Sequence, residues 1–169
     1  MKKILLLLIM SFLGVQAQGQ RYGVVDTEYI LSQMPEYTQA QAQLDKLSKQ
    51  WEGEVSALFS EAQSLKDALA AERILLSPGQ IEEREKAISA KESEALALQQ
   101  KYFGPEGELF KKRMQLVKPL QDKVFNAIRA VAIKRKLDLV LDKSSSVTVL
   151  YVSKAADYSE EVLDKLKER

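Results

Sequence analysis

The sequence predicts an α+β protein, with a long antiparallel helical hairpin carried on a small β-rich body. Three observations predict it. Apolar residues recur at steps of three and four from Leu44 to about Val131, Ser77-Pro78-Gly79 interrupts that run, and the period falls to two beyond Leu137.

Residues 1–17 read as a secretory signal peptide. Lys2 and Lys3 precede the apolar run Ile4 to Val15, and Val15-Gln16-Ala17 supplies small residues at the −3 and −1 positions for cleavage after Ala17. The apolar run is too short to span a bilayer comfortably. Export is the expectation.

Tyr22 to Val25 is β-prone, and Asp26 or Thr27 can cap the short helix carrying Tyr29, Ile30, Leu31 and Met34. Pro35 suits the first position of a new helix. In that helix Leu44, Leu47, Trp51, Val55, Leu58, Ala62, Leu65 and Leu69 form one stripe, advancing 25 residues in seven steps, about 3.57 per step. Gln, Lys and Glu fill the remaining circumference. A stripe this narrow buries itself against one partner helix and not in a broad core. An arm of roughly 40 residues is about 60 Å long at 1.5 Å per residue.

The chain turns near residue 78, so residues 35–131 form the arm with its tip near 74–81. Ile74, Leu75 and Leu76 are consecutive, and successive residues lie about 100° apart on a helix. At least one faces outward. With Ile81 they form either a cap over the turn or an apolar tip that touches a partner. On the return, Ile81, Ile88, Ala95, Leu98 and Tyr102 continue the pattern, and Phe110, Met114, Val117, Leu120, Val124, Ile128 and Val131 resume it. Between them Gly104, Pro105 and Gly107 must break the helix. The break is either a hinge or a plain join between helices. As a hinge, it would stiffen when both glycines are replaced by Ala.

Residues 21–34 and 132–169 make the body. Leu137, Leu139 and Leu141 alternate with Asp138, Val140 and Asp142, and Val147 to Val152 follows Ser144-Ser145-Ser146, together a β-hairpin signal. Ser159 can cap a last helix bearing Val162, Leu163 and Leu166. A body of roughly 60 residues is marginal alone. Strands joining those of neighbouring copies would remove its exposed edges, so the body is expected to oligomerise.

The composition excludes most chemistry. With no Cys and no His there is no thiolate, no disulfide and no imidazole base or ligand, and no GxxxxGK[ST] loop is present. No catalytic residue, cofactor or metal is expected. Removing Lys2 and Lys3 leaves 23 basic and 24 acidic residues, a net charge of −1. Asp26 to Lys101 carries 8 basic and 14 acidic residues, whereas Lys111 to Lys143 carries 10 and 3. Export argues against a nucleic-acid partner for the basic stretch, and a solvated helix face accounts for it.

The entry VVDTEYIL followed by MPEY, the charged hairpin, KPLQDKVFNAIRAVAIKRKLDLVLDK, the strand TVLYV and the closing DYSEEVLDKL together resemble the Skp/OmpH family of periplasmic chaperones. The resemblance covers essentially the whole exported chain. It implies a homotrimer with a β-barrel body and three helical arms around a cavity. It further implies an ATP-independent holdase that encloses unfolded outer-membrane β-barrel proteins and delivers them for membrane assembly. Val24, Val25, Leu139, Leu141, Val149 and Tyr151 would then lie on the strands that build the trimer, and Ile74, Leu75, Leu76 and Ile81 would meet the client. The best-known members are strongly basic, and this chain is not. Lipopolysaccharide binding is therefore doubtful, and Lys111, Lys112 and Arg113 form the basic triplet nominated for it. An exported coiled-coil spacer docking by its tip onto an envelope complex is the alternative.

Overall fold

The computed structural model describes residues 19–145 and 148–168. The signal peptide, residues 1–17, lies outside the described residues. The protein is mostly helical, with one small pair of strands.

Strand β1 (Tyr22–Val25) leads into helix α1 (Thr27–Ser32), whose N-cap Asp26 accepts a hydrogen bond from Tyr29 N at 2.8 Å. Met34 is extended, as the residue before proline must be, and Pro35 opens α2 (Pro35–Glu72). At 38 residues, α2 is about 57 Å long.

A short 3-10 turn, Arg73–Leu75, ends α2. Helix α3 (Pro78–Phe103) follows. Pro78 and Gly79 are thus not the turn itself. Pro78 is the first residue of α3, where its missing N–H costs nothing. Ser77 is the N-cap: its hydroxyl accepts from Gln80 N, and the Gln80 side chain accepts from Ser77 N at 2.9 Å. This reciprocal cap fixes the start of α3, so the connection from α2 spans residues 73–77.

Between α2 and α3 the seam is thinner than the stripe suggests. Trp51, Val55, Ala62 and Leu69 are buried, facing Ile88 and Ala95. Leu47 and Leu58 are only half-buried and Leu65 is exposed. Two helices alone cover only the middle of each other's apolar face; the flanks need a third element.

Helix α4 (Glu108–Leu116) and helix α5 (Lys118–Arg135) complete the return. Helix α5 ends on Lys136, which adopts the left-handed conformation (φ 55°, ψ 46°), while Leu137 N donates to Ala132 O at 2.9 Å. Strand β2 (Leu139–Asp142) then pairs in parallel with β1, Tyr22 opposite Leu139 and Val25 opposite Asp142. Helix α6 (Ser159–Lys167) closes the chain.

The expected β-hairpin is not formed. β2 pairs with β1 and not with the later segment, and residues 148–152 form no strand; Val147 lies outside the described residues. A parallel pair needs a long crossover, and the whole 26–138 excursion supplies it. The strand's leucine face is not the one that meets the chain's own core. Val140 packs against the core, while Leu139 is 48% exposed. Nor is Ser159 the cap of α6. It is the first helical residue, buried, and its hydroxyl donates to Asp157 Oδ1 at 2.7 Å and accepts from Asp26 N at 2.9 Å.

A single apolar cluster sits where α1, the start of α2, α5 and α6 meet. Ile30 and Val162 are completely enclosed there, among Leu31, Met34, Leu44, Leu120, Val124 and Val131. Two carboxylates tie the loops over this cluster. Burial by itself would raise the pKa of Asp142, but bonds from the Thr27 and Ser144 hydroxyls and backbone amides more than reverse this and leave it lowered. Asp157 behaves likewise: burial acts upward, and bonds from Lys143 and Ser159 bring it below the ordinary value.

Carboxylates whose folded pKa is depressed stabilise the protein above their unfolded value, about 3.9. That contribution is lost as the pH falls through the lower folded value. Urea titrations from pH 7 downward should therefore show stability holding to about pH 4 and falling below it. Asp142→Asn should cost about 1–2 kcal/mol at pH 7 and flatten the acid limb; an unchanged acid limb would remove these carboxylates from the account.

Candidate functional site

Among the described residues, the surfaces with chemical character are the connection between α2 and α3, the break between α3 and α4, and the edge of the two-stranded sheet. Among the described residues no group of three or more His, Cys, Asp or Glu is set to hold a metal ion. None of the described helices is long and apolar enough to cross a membrane.

At the α2–α3 connection the four nominated residues divide. Ile74 and Leu75 are 96% and 85% exposed, whereas Leu76 and Ile81 are half-buried and close the turn. Ion pairs Arg84–Glu72 (2.6 Å) and Arg73–Glu85 (3.4 Å) brace the two helices on either side. Ile74 and Leu75 are therefore exposed aliphatic side chains beside two exposed ion pairs.

At the break, Gly104 ends α3 and Gly107 is the N-cap of α4. Neither has a positive φ, so conformation is not why glycine stands there. Space is the reason. A Cβ on the buried Gly107 would lie 2.7 Å from Tyr102 O and 2.9 Å from Lys101 O. One on Gly104 would meet the carbonyl of Gln100. Replacing them with Ala would therefore push the backbone apart, not stiffen it.

Beside this break sits a pairing that the sequence does not announce. Trp51 of α2 and Tyr102 of α3 stack with centroids 4.7 Å apart and planes 9° from parallel. Tyr102 Oη donates to Glu54 Oε2 at 2.6 Å, and Lys101 Nζ stands 5.6 Å from the Tyr102 ring centre. The Tyr102 hydrogen bond is the main cause holding the Glu54 carboxyl below its usual value, and the same bond raises the Tyr102 phenol. Both residues belong to the apolar stripe, but their register depends on the length of the turn some 25 residues away.

The body residues also divide. Val24 and Val25 are buried within the chain's own fold, Leu141 and Val149 are half-buried, and Leu139 and Tyr151 are exposed, beside Leu150. β1 is covered on its other side at one point, where Val24 N donates to Ala156 O and Tyr158 N to Val24 O, both at 2.8 Å. The triplet Lys111, Lys112, Arg113 forms no common face: Lys111 pairs with Glu108 and Lys112 donates to Gln115.

The model of the OmpH-like outer membrane protein family matches residues 21–166. The chain belongs to the OmpH-like family. The crystal structure of an OmpH-like protein from Caulobacter crescentus CB15, described as an outer membrane chaperone candidate, superimposes with a TM-score of 0.65. It is 15% identical and the alignment covers 90% of each chain, a likeness of fold. A search of curated protein sequences returned no match.

For this OmpH-like chain the break can be tested. Gly107→Ala should lower stability by about 1–3 kcal/mol, because the new methyl can be housed only by moving backbone. Thermal unfolding checks it; a variant as stable as the parent would mean the joint has slack.

Proposed function

We propose that this chain is a periplasmic holdase that works without nucleotide, enclosing unfolded outer-membrane β-barrel proteins between helical arms and releasing them for membrane assembly. Family membership and the chaperone description of the Caulobacter neighbour support a chaperone role in general. The observation that carries the reading is the free end: Ile74 and Leu75, bare of any cover, stand at the far end of a helix about 57 Å long. Apolar side chains exposed at such a point mark contact with something else.

Residues 35–131 act as the arm, an antiparallel hairpin. The cross-helix pairs support this, because residue numbers rise on one side as they fall on the other: Trp51 with Tyr102, Lys66 with Glu92, Arg73 with Glu85. Residues 21–34 and 132–169 act as the body, which assembles into a homotrimer. Supporting that are the outward Leu139, the uncovered Leu150 and Tyr151, and a two-stranded sheet too small to stand alone. Export through a cleaved signal peptide places the protein in the periplasm.

Many weak contacts on linked arms bind tightly through effective concentration while each exchanges quickly. Release then needs no fuel. It occurs when folding in the membrane becomes the more favourable outcome for the client. The arms are binding surfaces, and no group on them is assigned a catalytic role.

Dilution of a urea-unfolded β-barrel membrane protein into buffer, followed by light scattering, tests the reading. The protein should suppress aggregation of several unrelated clients without nucleotide, and the Ile74→Ser, Leu75→Ser double variant should suppress it less while remaining folded. Absence of suppression, together with capture of one folded envelope partner, would favour the spacer.

A further inference from the structure

Phe59 and Leu96 follow directly on seam residues Leu58 and Ala95, so each is turned about 100° out of the seam. They are 38% and 56% exposed. Next to them an open groove of about 450 Å³ runs between α2 and α3, lined by Glu52, Val55, Ser56, Phe59, Gln99 and Phe103. Its floor is the buried Val55, its walls are the two Phe rings, and Glu52 stands at its rim.

The two helices that form this groove carry more acidic than basic residues. From Pro35 to Phe103 the arm carries 12 acidic and 8 basic residues. Five of those cations, Lys66, Arg73, Arg84, Lys86 and Lys91, are engaged in ion pairs with carboxylates of the same arm. Lys101 lies two residues from both Gln99 and Phe103, about 200° around α3, and stands over Tyr102 on the side away from the groove. Lys49 and Asp45, one and two turns before Glu52, carry opposite charges. Glu52 accepts a hydrogen bond from Ser48 at 2.8 Å and makes no ion pair among the described residues.

The geometry points to this groove as a client subsite that takes an apolar side chain of an unfolded segment and, through Glu52, favours segments in which Lys or Arg adjoins it. This rests on the holdase reading and adds a selectivity to it. An apolar floor beside a carboxylate with no cationic partner is complementary to an apolar residue next to a cation, and the surplus of carboxylates along the arm repels acidic segments.

Binding of two labelled unfolded peptides, equal in length and apolar content, would be measured by fluorescence anisotropy with the intact protein. One carries Phe-Lys pairs and the other Phe-Glu pairs. The Phe-Lys peptide should bind about two- to fivefold more tightly at low salt, the size expected for an exposed charge pair, and the difference should shrink as salt is added. Glu52→Gln should remove most of the preference while leaving Phe-Glu binding no weaker, and Phe59→Ser should weaken both peptides. Equal binding of the two peptides, or a preference that survives Glu52→Gln, overturns the selectivity while aggregation suppression can still stand. If neither peptide binds and aggregation is not suppressed, both readings fall.

Discussion

Everything in this molecule follows from how little one α-helix can bury against a single neighbour. Where α2 and α3 pack on each other, Trp51, Val55, Ala62 and Leu69 of α2 and Ile88 and Ala95 of α3 are the buried residues, and Phe59, Leu65 and Leu96 on the flanks are exposed among the described residues. The consequence is mechanical as well as chemical. A pair held by so few side chains opens more readily than the base, where α1, α2, α5 and α6 enclose Ile30 and Val162 on all sides. It also leaves apolar residues such as Phe59, Leu65 and Leu96 in solvent along its length.

Polar interactions then do what packing cannot. Four ion pairs across the helices, Lys66–Glu92, Arg73–Glu85, Arg84–Glu72 and Lys91–Glu61, set the register, although as exposed pairs each is worth little in stability. The Trp51–Tyr102 stack with its Glu54 bond fixes the arm just above the glycine break. With 12 acidic and 8 basic residues, the stretch from Pro35 to Phe103 keeps a net charge of −4 whichever of them are paired.

Local features were legible in the sequence because they depend on neighbours a few residues apart. The stripe on α2, the Asp26 cap, Pro35 at a helix start and the interruption at Gly104–Gly107 all come from spacing or from one residue's covalent constraints. What was hidden depends on distant partners. The alternation Leu137, Leu139, Leu141 announces a strand but cannot say which face meets the core, and here Val140 does. That β2 joins β1 across more than 110 residues leaves no local trace. Serine at a helix start is a good cap signal, yet Ser159 is drawn inward by Asp26 and Asp157. The left-handed Lys136 carries neither the Gly nor the Asn that usually marks such a position. The glycines at the break promised freedom and are instead required by crowding around Gly107.

Photocrosslinking reaches the central claim most directly. A photoreactive residue placed singly at Ile74, at Phe59 and, as a control, at Lys167 on α6 would be irradiated with an unfolded β-barrel client bound. If the arms hold the client, adducts form at Ile74 and Phe59 and not at Lys167. Adducts confined to Lys167, or none at either arm position while aggregation is still suppressed, would contradict the claim that the exposed faces of the helix pair are what the client meets.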